Sequence, residues 1–235
     1  MRTKIIILFN YLIILQSCNS EKIDLASIKL PIHKSILIKD EIDVKKHPFI
    51  YDPNLIAYEY TDSKMLTYNQ NDLSNSVDFD ISATYCGKNY LNLLVNEKAK
   101  KIEGYQLHTY TTEESEKLFN SLKKKLGLPN YDDNDKIDRH IVWENEDEIY
   151  VLNIGYNSII QNKKTDEANL IVLINQLDNL IMHINSATFY EFYLKERKRQ
   201  NKNLKNYSYL TFAKEENNNG NDFYLKGIKG LKINQ

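Results

Sequence analysis

The chain is poor in the residues that the commonest catalytic motifs need. Of its 235 residues only 7 are glycine and 2 cysteine. No Gly-x-Ser-x-Gly turn exposes a serine, and no glycine-rich loop could cradle a phosphate. The 5 histidines, His33, His47, His108, His140 and His183, stand singly, so no pair one helical turn apart frames a glutamate in the zinc-protease manner. Neither sign of charge dominates: 31 basic and 32 acidic residues give a formal −1, too little to draw the chain to nucleic acid. Past the first seventeen residues there is no long apolar run, and a mean hydropathy of −0.55 leaves no room for a further membrane segment. No cofactor, no metal and no nucleic-acid partner is therefore expected. A catalytic pair assembled only by folding would escape such a search.

What is present begins at the N-terminus. Arg2 and Lys4 precede residues 5–15, which are apolar but for Asn10. A bilayer-spanning helix needs about 20 apolar residues, so this run is too short, whereas a positive start, an apolar core of about 7–15 residues and a small residue before the cut describe a secretory signal. Ser17 is that small residue and Cys18 follows it. The run Leu15-Gln16-Ser17-Cys18 resembles the lipobox of bacterial lipoproteins. The resemblance implies that residues 1–17 are a signal peptide and that Cys18 becomes the first residue. It further implies a thioether-linked diacylglycerol on the Cys18 sulfur and an acyl chain such as palmitate on the new amine. Asn19 is not the aspartate that retains some lipoproteins at the inner membrane, so the outer membrane of a Gram-negative envelope is the expected location. Losing Arg2 and Lys4 would move the formal charge from −1 to −3. With Cys18 acylated, Cys86 has no partner within the chain, so burial rather than a disulfide must hold the domain together. Cys86 closes a strand-like run and is expected as a packed thiol.

Residues 18–29 read as a polar tether and 30–235 as a single α+β domain, a mostly antiparallel sheet of short strands with one well-capped central helix and a second amphipathic helix near the C-terminus. Ile36-Leu37-Ile38 suggests an opening strand, and His47-Pro48 and Asp52-Pro53 suggest turns. Residues 55–61, 65–69, 77–85, 90–95 and 101–110, rich in Tyr, Ile, Val and Thr, read as strands, with 86–89 as a hairpin turn. Thr111 and Glu114 fit a capping box ahead of Leu118, Phe119, Leu122 and Leu126 on one face, with Lys123 to Lys125 at the negative end and Gly127 and Pro129 as the stop. Residues 141–143 and 149–156 flank Glu144-Asn145-Glu146-Asp147 as a hairpin, and 170–174 with 180–184 suggest a further pair. A helix over 186–200 would carry Phe189, Phe192 and Tyr193 inward and Lys195, Arg197, Lys198 and Arg199 outward. Alternation around 207–212 and 223–228 suggests a terminal hairpin.

Three clusters invite chemistry. Asp132-Asp133-Asn134-Asp135 with Asp138 gathers carboxylates as a calcium loop would, but lacks the glycine and distal glutamate of an EF-hand and is expected to be a solvated turn. His140, Trp143 and Glu144 could line a sugar-binding face, although a lone tryptophan in a strand is expected in the core. The basic stretch 195–205 could lie on anionic headgroups, but fits the solvated face of a surface helix. These readings assign no catalytic residue. They favour a non-catalytic, lipid-anchored envelope protein that binds a protein partner, with a glycan or an incoming toxin, as for an immunity factor, as other candidates. The competing reading is an envelope hydrolase acting on glycan or peptide through two carboxylates among Asp138, Glu144 and Glu146.

Overall fold

The computed structural model describes residues 22–39, 44–74, 87–134, 138–160, 163–176 and 189–228. Residues 1–21 with Cys18, the expected strands 77–85 and 180–184, and Cys86 lie outside them. In chain order the elements are β1 (Ile32–His33), β2 (Lys45–Phe49), β3 (Asp52–Tyr60), β4 (Thr67–Tyr68), β5 (Asn71–Asp72), β6 (Tyr90–Asn96), β7 (Lys101–Thr109), α1 (Thr112–Leu126), β8 (Tyr131–Asn134), β9 (Asp138–Glu144), β10 (Glu148–Ile160), β11 (Lys163–Ile174), α2 (Phe189–Arg199) and α3 (Tyr209–Asn218). The fold is α+β. One antiparallel sheet runs β2-β3-β6-β7-β11-β10-β9-β8, and β1 pairs with β7 alongside. Among the described residues no helix is long and apolar enough to cross a membrane.

The sheet buries both faces, which is why β6, β10 and β11 read as nearly continuous apolar runs rather than clean alternation. Leu91, Leu93, Leu107, Leu152, Leu170 and Val172 pack on one face beneath α1 and the N-terminal segment. Leu94, Val142, Ile149, Val151, Ile171 and Leu173 pack on the other beneath α2, α3 and the 3-10 turn Asp222–Gly227. That turn approaches so closely that a side chain at Gly227 would strike the Tyr131 ring. The capping box forms as read: Thr111 Oγ1 accepts from the Glu114 backbone N–H at 3.3 Å, and the Glu114 carboxylate turns back to take the Thr111 hydroxyl at 3.0 Å. Leu118 and Leu122 are fully buried.

Several local readings need correction. The expected tether is described from Lys22, and there it packs: Leu25 is fully buried. The Asp24 carboxylate accepts from the backbone N–H groups of Ala26, Asn69 and Gln70 at 3.0, 2.7 and 2.9 Å. Asn69 and Gln70 both have positive φ, as the tight turn joining β4 to β5 requires, and without a glycine there that hairpin gave no signal. Ile36-Leu37-Ile38 is no strand, because the His33 ring accepts from the Ser35 N–H and starts a 3-10 turn over Lys34–Ile36. Pro48 and Pro53 lie within β2 and β3. Pro48 is tolerated because β2 is an edge strand, where a missing N–H need not break the ladder, and the turn falls at Ile50 and Tyr51. The terminal hairpin is instead α3 followed by a 3-10 turn. Ser208 Oγ accepts from the Thr211 N–H at 3.2 Å, and Tyr209, Phe212 and Ala213 at helical spacing bury one side, so packing overrode an aromatic-rich pattern that favours strands. On α2 the inward side is Tyr190, Tyr193, Leu194 and Arg197, while Phe192 is 51% exposed.

At the other end of the sheet Glu97 binds three elements together. It accepts from the Tyr58 hydroxyl, from Lys34 at 3.0 and 3.1 Å and from Lys100 at 3.1 Å, and its carboxyl is held down at about 2, chiefly by the Tyr58 hydrogen bond. A depressed carboxyl contributes stability that is complete above its ordinary value of 4.5 and is lost as pH falls towards 2. Glu97→Gln should therefore lower stability at neutral pH and flatten its decline across that acid window, read by urea unfolding at stepped pH. In α1, Thr111→Ala should cost about 1 kcal/mol through the lost cap, and Leu122→Ala more, about 2–5 kcal/mol. Both follow from chemical denaturation of the two variants.

Candidate functional site

Side chains directly opposed across the sheet form rows on the face that α2 and α3 partly cover. One row reads Tyr131, Val142, Val151, Ile171, Gln106, Asn92, Glu59, Lys45, from β8 to β2. Its first four members are buried beneath the C-terminal helices, and its last four are polar and lie beyond that cover. The next row, Asp133, His140, Asn153, Asn169, His108 and Tyr90, is polar throughout. One face is thus dry at one corner and wet at the other, and the boundary is written in the side chains.

The wet corner is a cleft of about 540 Å³, within the range of small-molecule sites. Its floor is a directed amide chain: Asn92 Nδ2 donates to Gln106 Oε1 at 3.1 Å, and Gln106 Nε2 donates to Asn169 Oδ1 at 2.9 Å. At the head of that chain Asn92, 3% exposed, keeps its Oδ1 buried without a hydrogen-bond partner. Phe49, Tyr51, Tyr90 and Tyr110 supply rings, and Ile50, 87% exposed, stands at the lip. Tyr90 stacks on His108 with centroids 5.1 Å apart, and Tyr110 tilts against the same imidazole at 4.3 Å. Burial first, then the nearby Tyr110, Glu59, Glu167 and Tyr51, push the Tyr90 phenol up to about 12, so at neutral pH it is a hydroxyl donor. Glu59 accepts from Lys45 at 3.1 Å through both oxygens and lies 3.7 Å from His47 Nε2.

No family model, curated protein or solved structure matches this chain. The site has to be read from its own chemistry.

The residues singled out in the sequence are mostly dispersed. Trp143 is core, 3% exposed, and its indole donates to the Gly127 carbonyl at 3.1 Å. His140 and Glu144 point to the opposite face, so these three line no common surface. His140 Nδ1 instead meets Asn153 Oδ1 at 2.8 Å. In the acidic cluster Asp132 is buried and holds Arg139 through two 2.8 Å bonds, where a solvated turn was expected. Among the described residues no group of three His, Cys, Asp or Glu is placed to hold a metal ion. In the basic stretch Lys195, Arg199 and Lys205 pair with Glu191, Glu196 and Glu146.

Glu144 and Arg197 form a second, closed constellation. Arg197 Nη2 lies 2.6 Å from Glu144 Oε1, with both side chains almost wholly excluded from solvent. Tyr190 donates to the same carboxylate, Asn175 Nδ2 donates to it at 3.1 Å, and Arg197 Nη1 donates to the Tyr193 hydroxyl at 2.7 Å. Both oxygens of that carboxylate are engaged within the fold, which leaves it a structural role. Asp138 lies six residues away along β9, about 20 Å at strand spacing, and cannot share a substrate bond with Glu144. Glu146 is a surface partner of Lys205.

Removing one member of a buried pair strands the other. Arg197→Ala should cost about 3–5 kcal/mol, whereas Arg197→Met with Glu144→Gln, which keeps an acceptor for Tyr190 and Asn175, should recover much of that loss. Urea unfolding of both variants measures the difference, which would vanish if the pair were merely peripheral.

Proposed function

We propose that this is a lipid-anchored binding protein of the bacterial cell envelope, held by Cys18 at the outer membrane, with the cleft at the wet corner of the sheet as its binding surface. The cleft carries the reading: rings, amides, one carboxylate and the basic side chains Lys45, His47 and Lys88 converge on a concavity whose floor is fixed by three hydrogen-bonded strands. Such a floor changes little on binding, which lowers the ordering cost that a loop-built site would carry. The carboxylates that a hydrolase would require lie apart or are already engaged in ion pairs.

The lipobox resemblance supports the anchor, and Leu25, buried only seven residues beyond Cys18, would keep the domain close to the headgroups. Cys18→Ala should abolish incorporation of a labelled fatty acid and release the protein from the membrane fraction. Labelling followed by mass spectrometry of the N-terminal peptide checks this. A wild-type protein that begins elsewhere and carries no label would sink the anchor.

A further inference from the structure

We infer that the ligand of this cleft is a neutral oligosaccharide, an inference that rests on the cleft being the binding surface. A sugar ring has one weakly polar face of C–H groups and a rim of hydroxyls, each able to donate and to accept. The cleft offers the matching halves. Tyr51, Tyr90 and Tyr110 present aromatic faces and edges to the C–H side. The sugar's rim of hydroxyls is served by Asn92 and Gln106 on the floor and by Glu59 beside them.

The direction of the amide chain narrows the class. Asn92 spends an amino proton on Gln106, and Gln106 spends one on Asn169, so the unmet group at the head of the chain is an acceptor, Asn92 Oδ1. It is buried, and because Oδ1 and Nδ2 turn together about the terminal amide torsion, a hydroxyl that draws the oxygen outward also has to take over the hydrogen bond to Gln106, which a group that both donates and accepts can do. Glu59 is likewise an acceptor, with lone pairs left beyond the two bonds from Lys45. A phosphate or carboxylate would bring acceptors to Asn92 and Glu59 and leave Asn92 unmet, and of the two lysines lining the cleft Lys45 is already held by Glu59, which leaves Lys88 to attract an anion. A hydroxyl satisfies it, and a neighbouring hydroxyl on the same ring reaches a carboxylate oxygen. The Tyr90 phenol, kept protonated, is then free to donate to a ring or hydroxyl oxygen.

The test is a glycan array of defined neutral and anionic oligosaccharides, probed with the full-length protein in detergent and followed by calorimetry on whatever binds. A neutral oligosaccharide should bind with an affinity little changed by added salt. Tyr51→Ala and Glu59→Gln should each weaken it about tenfold or more, the loss of one ring contact or one hydrogen bond to a charged group, at an unchanged melting temperature. Should Tyr51→Ala fail to fold, Glu59→Gln, which keeps size and shape, decides alone. A silent array, binding only to anionic sugars, or binding that both variants leave intact would overturn the inference. A library of envelope peptides runs in parallel. Peptide binding lost in the same variants would refute the glycan while leaving the cleft as the binding surface, and fatty-acid labelling judges the anchor separately.

Discussion

A guanidinium and a carboxylate, both dry, sit where the C-terminal helices meet the end of β9. Taking two ions out of water is costly, and only their mutual attraction and full hydrogen bonding offset it. Tyr190, Asn175 and Tyr193 supply most of those bonds, leaving Arg197 Nε buried without one, and the Tyr193 hydroxyl donates in turn to the Tyr207 carbonyl. The pair therefore ties α2, the approach to α3 and the β9–β10 turn to one geometry. Around it Tyr131, Tyr190, Tyr193 and Tyr209 pack edge to face and offset, with centroids 5.0–5.9 Å apart. Much of the chain's high tyrosine content is spent here, on rings that fill the core while their hydroxyls satisfy buried carbonyls and acids.

Fixing the helical layer over β8 to β11 determines where it stops. Beyond that border the same sheet face carries Gln106, Asn92 and Glu59, which the strand period would otherwise place in the core. Among the described residues, the cleft is thus the uncovered remainder of a face that the Arg197–Glu144 pair keeps covered elsewhere. Its floor inherits the rigidity of the sheet, and its acceptor-rich head follows from the orientation of three amides.

The fold class, α1 with its Thr111 cap, and β3, β6, β7, β9 and β10 were legible because their signals are local: a capping box, or an apolar run bounded by polar turns. The β4–β5 turn was not, since its positive φ angles rest on Asp24, forty-five residues away from Asn69. Nor was Arg197, which sits among lysines and arginines in the sequence and is told apart only by the carboxylate it meets across the fold. The cleft was half visible. Tyr90 and Asn92 in β6, and Gln106 and His108 in β7 with Tyr110 just past its end, recur at every second position, which marks one face as polar. Which part of that face the helices would leave bare depends on tertiary packing, and no spacing along the chain encodes it.

Strand β2, at the border of the sheet, carries Lys45, Lys46 and Pro48 in five residues. A proline offers no N–H to an incoming strand, while the ammonium groups of Lys45 and Lys46 turn back to Glu59 and the Tyr58 ring of β3. This margin discourages another chain from continuing the ladder. Contact with another molecule at this corner is left to side chains, and rings and amides on the sheet surface can be substituted without altering how the strands pair.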